Sequence, residues 1–232
     1  MKMAKKWIAV LIALIMVISL AACGADSSGS DDQNAAAAAA EETADETSSE
    51  ETGGNRVLVL YFSAGNMNDV DAVSSATPMV GDTSATGWIA EIIHEEMGGD
   101  IEGIVPSVDY PLDYDGCIDV AKKETDSGAR PDFKPLTADP ESYDTIFIGY
   151  PVWWYTIPMV LETFFDQYDL SGKTIVPFNT HAGSRDGGTY TTIQEREPDA
   201  VVLEGLAVSG SSAGSDDAKA EINEWLKGLD LN

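Results

Sequence analysis

Five short apolar runs, separated by segments of helical spacing, are the feature that most constrains how this chain can fold. The runs at 57–62 and 145–149 contain no charged residue, which is typical of strands that are covered on both faces. After the first run, apolar residues recur at helical spacing up to Met97, and the pair Gly98-Gly99 predicts the end of a helix. Strands that alternate with helices predict an α/β fold, in which helices cover both faces of a parallel sheet. The predicted strands are 57–62, 100–104, 145–149, 174–178 and a fifth formed by 201–203 with 206–208. Besides the helix that ends near Met97, helices are predicted at 115–123, 159–165 and 222–229.

The first 22 residues have the pattern of a secretory signal peptide. Three lysines precede the apolar run 7–20, and the segment contains no acidic residue. The run ends in Leu-Ala-Ala-Cys at 20–23, which resembles a bacterial lipobox. This resemblance implies cleavage before Cys23 and a diacylglyceryl group on its thiol, so that the mature protein is extracytoplasmic and anchored to the bacterial cell membrane. The alternative is an ordinary cleavable signal peptide in which the cysteine is coincidental.

Acidic residues dominate the rest of the chain. The segment 23–55 has nine acidic residues and no basic one, so it predicts a disordered tether between the lipidated Cys23 and a domain at 56–232. The full chain has 13 Lys and Arg against 40 Asp and Glu, a net charge of −27, and the domain alone carries −21. A field of this sign excludes a protein that binds nucleic-acid phosphates by charge. Two cysteines and two histidines predict neither a disulfide framework nor a metal site.

Polar residues and glycines follow the first strand, at the edge of the sheet where ligands bind in such folds. Ser63 comes directly after the strand, and Gly-Asp-Thr-Ser at 81–84 leads into the first helix. Hydroxyl groups and backbone N–H groups at a helix N-terminus can hold a phosphate without Lys or Arg, which suits a domain this acidic. The alternative is a glycine-containing turn in which Ser or Thr only caps the helix.

The loops after the third and fourth strands also have unusual compositions. Three of the five residues after Pro151 are aromatic and follow closely on a buried strand, where their rings can flank a planar heteroaromatic group or, alternatively, cover the core. The segment 179–188 is rich in small residues that allow the backbone to approach a ligand closely. It includes His181, for which a hydrogen-bonded loop histidine is the alternative to a catalytic one. Cys117, in a predicted helix, is expected to be a buried and inert thiol.

The three loops together resemble those of flavodoxin-like FMN proteins. The resemblance rests on Tyr-Phe-Ser at 61–63, Gly-Tyr-Pro-x-Trp-Trp at 149–154 and Phe-x-Thr-His-x-Gly-Ser at 178–184, and it extends over about 56–230. It implies a flavodoxin-like, doubly wound sheet of five parallel strands in the order 2-1-3-4-5, with non-covalently bound FMN. It also implies that the phosphate is held by Ser63, Gly81, Asp82, Thr83 and Ser84. The residues that it places against the isoalloxazine are Pro151, Val152, Trp153, Trp154, Thr180, His181, Gly183 and Ser184.

The first loop departs from the family pattern, because it is interrupted between Asn66 and Gly81. Within the interruption, Asp-Ala-Val-Ser-Ser-Ala-Thr at 71–77 resembles the D-x-x-S-(G/A)-A-T motif at which a flavin transferase attaches FMN. This second resemblance implies phosphoester-linked FMN on Thr77, and the alternative is a loop of small residues with a capping aspartate. The other departures are Asp82 where Asn is commoner, Tyr155 where Gly often follows the second Trp, and Ala182 where Gly is common.

These observations predict a membrane-anchored FMN lipoprotein that transfers electrons to or from a redox partner protein or a small-molecule electron acceptor. Because the domain is so acidic, an anionic reduced flavin is disfavoured and a low reduction potential is expected. One alternative is an NAD(P)H- or quinone-dependent flavin oxidoreductase with His181 or Tyr155 near the substrate. The other is a flavin-free ligand-binding lipoprotein that uses the same crevice.

Overall fold

A computed structural model of the chain describes residues 55–64, 79–111 and 113–231. The predicted signal peptide, the lipidation at Cys23, nearly all of the acidic tether and the flavin attachment at Thr77 lie outside the described residues. Within the described ranges, no helix is both long and apolar enough to cross a bilayer.

Strands and helices alternate along the described residues, and each of the predicted strands and helices is present. The strands are β1 (Val57–Phe62), β2 (Met79–Val80), β3 (Thr83–Ser84), β4 (Asp100–Ile104), β5 (Thr145–Pro151), β6 (Thr174–His181), β7 (Val201–Val202) and β8 (Leu206–Ser209). The helices are α1 (Ala85–Met97), α2 (Tyr114–Ser127), α3 (Met159–Gln167), α4 (Thr189–Arg196) and α5 (Asp216–Gly228), with a single 3-10 turn at Pro140–Ser142.

The main sheet is parallel and has the order β4-β1-β5-β6, with β7 and β8 both paired to β6. The predicted fifth strand is therefore divided in two: β7 pairs with the beginning of β6, and β8 pairs with its end. The strands β2 and β3 form a separate antiparallel hairpin before α1. When that hairpin is set aside and β7 and β8 are counted as one strand, the strands of the main sheet can be numbered 1 to 5 along the chain. Their order across the sheet is then 2-1-3-4-5, which confirms the topology that the resemblance implied.

The core lies on both faces of the sheet because successive side chains of a strand point to opposite faces. In β1, Leu58 and Leu60 belong to one buried cluster with α3, whereas Val57 and Val59 belong to a second cluster with α1 and α5. This arrangement confirms the predicted doubly wound fold. Cys117 of α2 is fully buried in the first cluster, and burial raises the pKa of its thiol to about 11, so it is the inert thiol that the sequence predicts.

The β2–β3 hairpin and the helix α4 were not predicted from the sequence. Each strand of the hairpin has two residues, which is too short to show an alternating pattern. The helix α4 contains three threonines, whose branched side chains have low helix propensity, and it buries only Thr189 and Ile193. Both elements are stabilised by tertiary contacts rather than by local sequence preference.

Candidate functional site

Two cavities lie at the carboxyl ends of the strands, where a ligand is expected to bind in a doubly wound sheet. The first cavity, of about 460 Å³, is bounded by the loop after β1, the β2–β3 hairpin and the end of β4. The second cavity, of about 500 Å³, is bounded by the loops after β5 and β6 and by the first turns of α2. Both volumes are in the range of sites for small organic ligands.

The first cavity includes the N-terminus of α1, which is capped by Ser84. The Ser84 hydroxyl accepts a hydrogen bond from the backbone N–H of Gly87 at 3.0 Å, and Ser84 itself is extended, as an N-cap residue requires. The preceding turn depends on Gly81, whose φ of +61° is unfavourable for other residues. The predicted phosphate residues Ser63 and Thr83 line the same cavity. Because a helix N-terminus leaves backbone N–H groups without partners in the helix, this cavity can accept an anion.

Gly87 brings the two hydroxyl groups close to the first turn of α1. A Cβ at position 87 would lie 2.5 Å from Oγ1 of Thr83, 3.1 Å from Oγ of Ser84 and 3.2 Å from the ring of Tyr61. The absence of a side chain at this position therefore creates the space in which these hydroxyl groups meet the helix. A group of hydroxyl and N–H donors in this arrangement fits a phosphate.

The first cavity also contains two carboxylates. Asp82, which is exposed, and Asp109 both line it, and among the described residues no lysine or arginine does so. A phosphate at this position would be held by neutral donors against an unfavourable local charge. The fit therefore depends on the directed hydrogen bonds of the helix terminus and not on charge neutralisation.

A buried hydrogen bond connects the N-terminus of α1 to the end of β6. The hydroxyl groups of Thr86 and Thr180 are 3.0 Å apart, and both residues are almost completely inaccessible to solvent. The backbone carbonyl of Thr180 also accepts a hydrogen bond from the N–H of Val152, the first residue after β5. Thr180, which was predicted to contact the flavin, is thus the residue that joins the first helix to the loops at the second cavity.

The two adjacent tryptophans after β5 have opposite environments, and Trp153 lies in the core. Its side chain is 1% exposed, and its ring packs nearly perpendicular to those of Phe62 and Tyr110, with ring centroids 5.3 and 5.1 Å apart. Its indole nitrogen is buried and has no hydrogen-bond partner among the described residues. Trp153 therefore covers the core, which is the alternative that the sequence left open, and its ring has no free face for stacking.

Trp154 and Tyr155 form a tight turn that exposes both rings. The backbone groups of Trp153 and Thr156 exchange two hydrogen bonds of 3.0 and 2.9 Å across this turn, and both turn residues have positive φ, +52° and +58°. Such a turn usually contains glycine or asparagine, because the left-handed conformation of a bulky residue costs about 1–2 kcal/mol. The turn therefore holds a bulky residue, Tyr155, in a conformation that favours glycine.

The turn places two aromatic rings at the second cavity. The side chains of Trp154 and Tyr155 are 45% and 74% exposed, and both line the cavity. The indole N–H of Trp154 donates to the carbonyl of Ile118 in α2 at 3.4 Å, and the ammonium of Lys122 lies 5.6 Å from the indole ring centroid. The helix α2 therefore supports the turn from one side, and Tyr114 of the same helix contributes a third ring to the cavity.

The loop after β6 is held by side chains of the strand that precedes it. The imidazole Nδ1 of His181 accepts a hydrogen bond from the backbone N–H of Gly183 at 2.9 Å. The amide of Asn179, which is fully buried, donates to the carbonyl of Arg185 at 3.0 Å and accepts from the hydroxyl of Tyr190 at 2.6 Å. These contacts shape the segment 182–184, which lines the second cavity.

The environment of His181 lowers the pKa of its imidazole below the usual value of 6.5. The largest cause is partial burial, and the positive charge of Arg185 adds to it. A backbone hydrogen bond with Ala207 and the negative charge of Asp186 act in the opposite direction. His181 is therefore a hydrogen-bonded histidine in this structure, and it lies at the end of β6 rather than in the loop where the sequence placed it.

Comparison with known families and structures identifies the fold. A family model described as flavodoxin matches residues 56–229. The chain belongs to the flavodoxin family. This family binds FMN, and the donors of the first cavity together with the aromatic rings and small residues of the second are of the kinds that FMN requires.

Solved structures agree with the assignment to the flavodoxin family. A provisionally assigned flavoprotein of Bacteroides eggerthii is 30% identical over 75% of this chain and 97% of its own, with a TM-score of 0.58. A similar protein of Bacteroides uniformis is 26% identical over 75% and 99% of the two chains, with a TM-score of 0.59. A flavoprotein of Lactobacillus acidophilus in complex with FMN is 22% identical over 68% and 96%, with a TM-score of 0.52, and it shows the fold alone. No curated protein matches the chain.

The structure places the predicted FMN-binding residues in three different settings. The residues on the first cavity are Ser63, Asp82, Thr83 and Ser84, and those on the second are Val152, Trp154, Gly183 and Ser184. Pro151, Trp153 and Thr180 are buried, whereas Gly81 and His181 shape the loops that line the cavities. The contacts of all these residues with FMN stay predictions.

Sequence reasoning missed Thr86, Gly87 and Asn179, which determine how the loops are held. Gly87 could have been found, because a glycine in the first turn of a predicted helix lowers helix stability and therefore suggests a close approach of another group. Thr86 and Asn179 gave no such signal. Thr86 acts through its hydrogen bond with Thr180, which is distant in the chain, and Asn179 acts through its hydrogen bond with Arg185 across a loop.

Proposed function

We propose that this protein is an FMN flavoprotein that transfers electrons outside the cytoplasmic membrane, to which a lipid on Cys23 anchors it. FMN is the cofactor of the flavodoxin family to which the chain belongs. The observation that carries the proposal is the N-terminus of α1, where the hydroxyls of Thr83 and Ser84 and the first backbone N–H groups converge around Gly87. Such a site selects a phosphate by directed donors in a strongly acidic domain.

The two cavities have different roles in this proposal. Ser63, Thr83 and Ser84 hold the phosphate of FMN at the first cavity, and Trp154 and Tyr155 flank its ring system at the second. The small residues at 182–184 let the backbone approach the edge of the ring system. When bound, FMN supplies the electron-transfer chemistry, whereas the chain binds it, orients it and limits its contact with water.

The charge of the domain supports a low reduction potential and a basic partner. With a net charge of −21 on residues 56–232, the domain disfavours additional negative charge on a bound ligand. The same field accelerates association with proteins that carry a basic surface, at rates that fall as salt is added. We therefore expect a reduction potential below that of free FMN, which a spectroscopic redox titration of the purified protein would measure.

The first experiment compares FMN with riboflavin, which lacks the phosphate. Full-length purified protein is examined for flavin absorbance and then titrated with each ligand, and quenching of flavin fluorescence reports binding. We expect tight binding of FMN and binding of riboflavin weaker by at least about 100-fold, because riboflavin makes none of the charge-assisted hydrogen bonds to the first cavity. Equal affinities would contradict the assignment of the first cavity to the phosphate, and an absence of binding would favour the flavin-free ligand-binding protein.

The membrane anchor is tested separately, because it is supported by the sequence alone. Mass spectrometry of protein from bacterial membranes should give an N-terminal peptide that begins with a diacylglyceryl-modified Cys23. In a Cys23→Ala variant, we expect this modified peptide to be lost. An unmodified N-terminus elsewhere in the chain would contradict the anchor without affecting the proposal for FMN.

The exposed rings at the second cavity favour a second candidate function, reduction of a planar small molecule such as a quinone by NAD(P)H. Tyr155 is 74% exposed in a conformation that disfavours bulky residues, and it lines a cavity large enough for a planar ligand. Steady-state oxidation of NADPH in the presence of quinones distinguishes this activity from one-to-one electron exchange with a protein. Turnover that is lost in Tyr155→Gly would favour the reductase.

A further inference from the structure

A hydrogen bond joins the side chain of His181 to the loop that follows it. His181 is the last residue of β6, and its Nδ1 accepts from the N–H of Gly183 at 2.9 Å. An imidazole nitrogen that accepts a hydrogen bond carries no proton, so a neutral His181 holds its proton on Nε2. The bond closes a tight turn at Gly183, which has a φ of +112° and no heavy atom near the position of a Cβ.

The loop has two anchors on β6, and only one of them can titrate. The buried amide of Asn179 holds the carbonyl of Arg185 at every pH. The imidazole of His181 holds the backbone of Gly183 only while Nδ1 is unprotonated. The first anchored position, Gly183, lies within the segment 182–184 that lines the second cavity, and the second, Arg185, directly follows that segment.

The charged groups that face the imidazole among the described residues are Arg185 and Asp186, both from the same loop. From β8, the neighbouring group is the backbone of Ala207, and the pairing of β6 with β8 sets Ser209 opposite His181. The guanidinium of Arg185 disfavours a second positive charge at this position. Protonation would thus turn Nδ1 of His181 from an acceptor into a donor. The new N–H would face the N–H of Gly183, and the new positive charge would lie near that of Arg185.

We propose that neutral His181 is a positioning residue that holds the 182–184 segment in the shape required for FMN, and that protonation of His181 releases this segment and weakens FMN binding. The inference rests on the proposed function, because it assigns the 182–184 segment to the FMN site.

The sign of the pH dependence follows from the lowered pKa of His181. Because the ordered loop disfavours the protonated imidazole, its stabilisation is fully present above the ordinary pKa of 6.5 and is lost as the pH falls through the lowered value. We therefore expect the loop to be ordered at pH 7.5 and to be released progressively as the pH falls below 6.5 through the lowered pKa.

The first test does not require FMN. NMR of the isotope-labelled full-length protein without ligand follows the amide of Gly183 and the imidazole of His181 between pH 7.5 and 5.0. We expect both signals to change with one common midpoint below 6.5. A Gly183 amide that does not change, or that changes with a different midpoint, overturns the proposal.

The second test measures the dissociation constant of FMN at pH 7.5 and 5.0 in the wild type and three variants. His181→Asn keeps an acceptor near the position of Nδ1 without a titrating group, His181→Ala removes the acceptor, and His94→Asn replaces the only other histidine, on α1. At pH 7.5 we expect wild type and His94→Asn to bind FMN alike, and we expect His181→Ala to bind about five- to tenfold more weakly than His181→Asn, as expected for one lost hydrogen bond.

From pH 7.5 to 5.0 the FMN affinity of the wild type and of His94→Asn should fall by up to about fivefold more than that of His181→Asn, as His181 becomes protonated. Comparing these losses between variants removes the effect of the FMN phosphate, which titrates near pH 6 by itself. Because His181→Asn retains Arg185 and Asp186, their effects cancel as well. An equal loss of FMN affinity from pH 7.5 to 5.0 in the wild type and in His181→Asn overturns the proposal. If no variant binds FMN at either pH, the proposed function fails, and the Gly183 titration still decides whether His181 holds the loop.

Discussion

The two cavities of this protein are constructed by different means. The first cavity is made by regular secondary structure: a capped helix N-terminus, a short hairpin and a glycine that lets Thr83 approach the helix. The second is made by loops with unfavourable backbone conformations, at Trp154, Tyr155 and Arg185, which are held by side-chain hydrogen bonds and aromatic contacts. The geometry of a site made by the backbone of a helix is fixed by the helix itself, whereas the geometry of a site made by loop side chains can change with each substitution in the loop.

This difference suggests how FMN binding is divided between the two cavities. The first should supply most of the affinity through the phosphate, because its donors are fixed before the ligand arrives. The second should adjust the environment of the ring system and the choice of electron acceptor. Measurements with FMN and riboflavin separate the two contributions, since only FMN has the phosphate.

The largest effect is expected from Gly87→Ala. The new Cβ would lie 2.5 Å from Oγ1 of Thr83, so the hydroxyl must leave the cavity, although the threonine side chain can rotate without unfolding the helix. We expect FMN affinity to fall by up to about 100-fold, as for the loss of one strong hydrogen bond to a charged group, and riboflavin affinity to change less than about threefold. The matched control is Gly228→Ala, in α5, where a Cβ meets no heavy atom within 4 Å. An equal loss for both ligands would show that Gly87 does not act on the phosphate.

The connection between the cavities is tested by Thr86→Val. This substitution leaves the hydroxyl of Thr180 buried without its partner, so the free energy of unfolding should fall by about 1–3 kcal/mol. Denaturant unfolding measures this change, and Thr86→Ser should restore most of the stability because it keeps the hydroxyl. FMN and riboflavin should lose affinity by similar factors, since both cavities are displaced; a loss confined to FMN would place the effect at the phosphate alone.

A smaller effect is expected at the exposed turn. Tyr155→Gly removes a bulky residue from a positive φ, so the free energy of unfolding should rise by about 0.5–1 kcal/mol. The affinities for FMN and riboflavin should fall together by about fivefold, because one flanking ring is lost. Val108→Gly is the matched control at an exposed site without positive φ, and it should lower stability. If the Tyr155→Gly variant is less stable than the wild type, the turn is not strained.

The smallest effect is expected from Asp82→Asn, which removes one exposed carboxylate from the first cavity. FMN affinity should rise about threefold at low salt, since a screened surface charge has a weak effect, and riboflavin affinity should stay the same. Glu224→Gln, on α5, removes the same charge away from both cavities and serves as the control. A similar rise in both variants would assign the effect to net charge rather than to the first cavity.

Most of the fold could be predicted, because its signals are local. The uncharged runs at β1 and β5 indicate strands buried on both faces, and their alternation with helices indicates a parallel sheet. The strand order came from the resemblance and not from the runs themselves. The helix α4 was missed because its threonines favour no helix, and contacts such as the bond between Thr189 and Tyr150 hold it in place.

The site could be predicted only as a set of loops. Topology requires the loops after β1, β5 and β6 to meet at one edge of the sheet, so their residues could be nominated from the sequence. The roles of those residues could not be assigned in the same way. The pair Trp153-Trp154 shows why: nothing in the local sequence distinguishes the two rings, and Phe62 and Tyr110 from distant segments bury only the first.

The sequence by itself determined where the strands of the main sheet and four of the five described helices lie along the chain, the acidic charge and the edge of the sheet at which a ligand is expected, because these depend on local pattern and composition. The tertiary structure alone decided that Gly87 opens the first cavity, that Thr86 joins it to β6 and that the imidazole of His181 accepts from its own loop. Each of these depends on where atoms meet after folding, and hydrogen bonds and close contacts act only over a few ångströms.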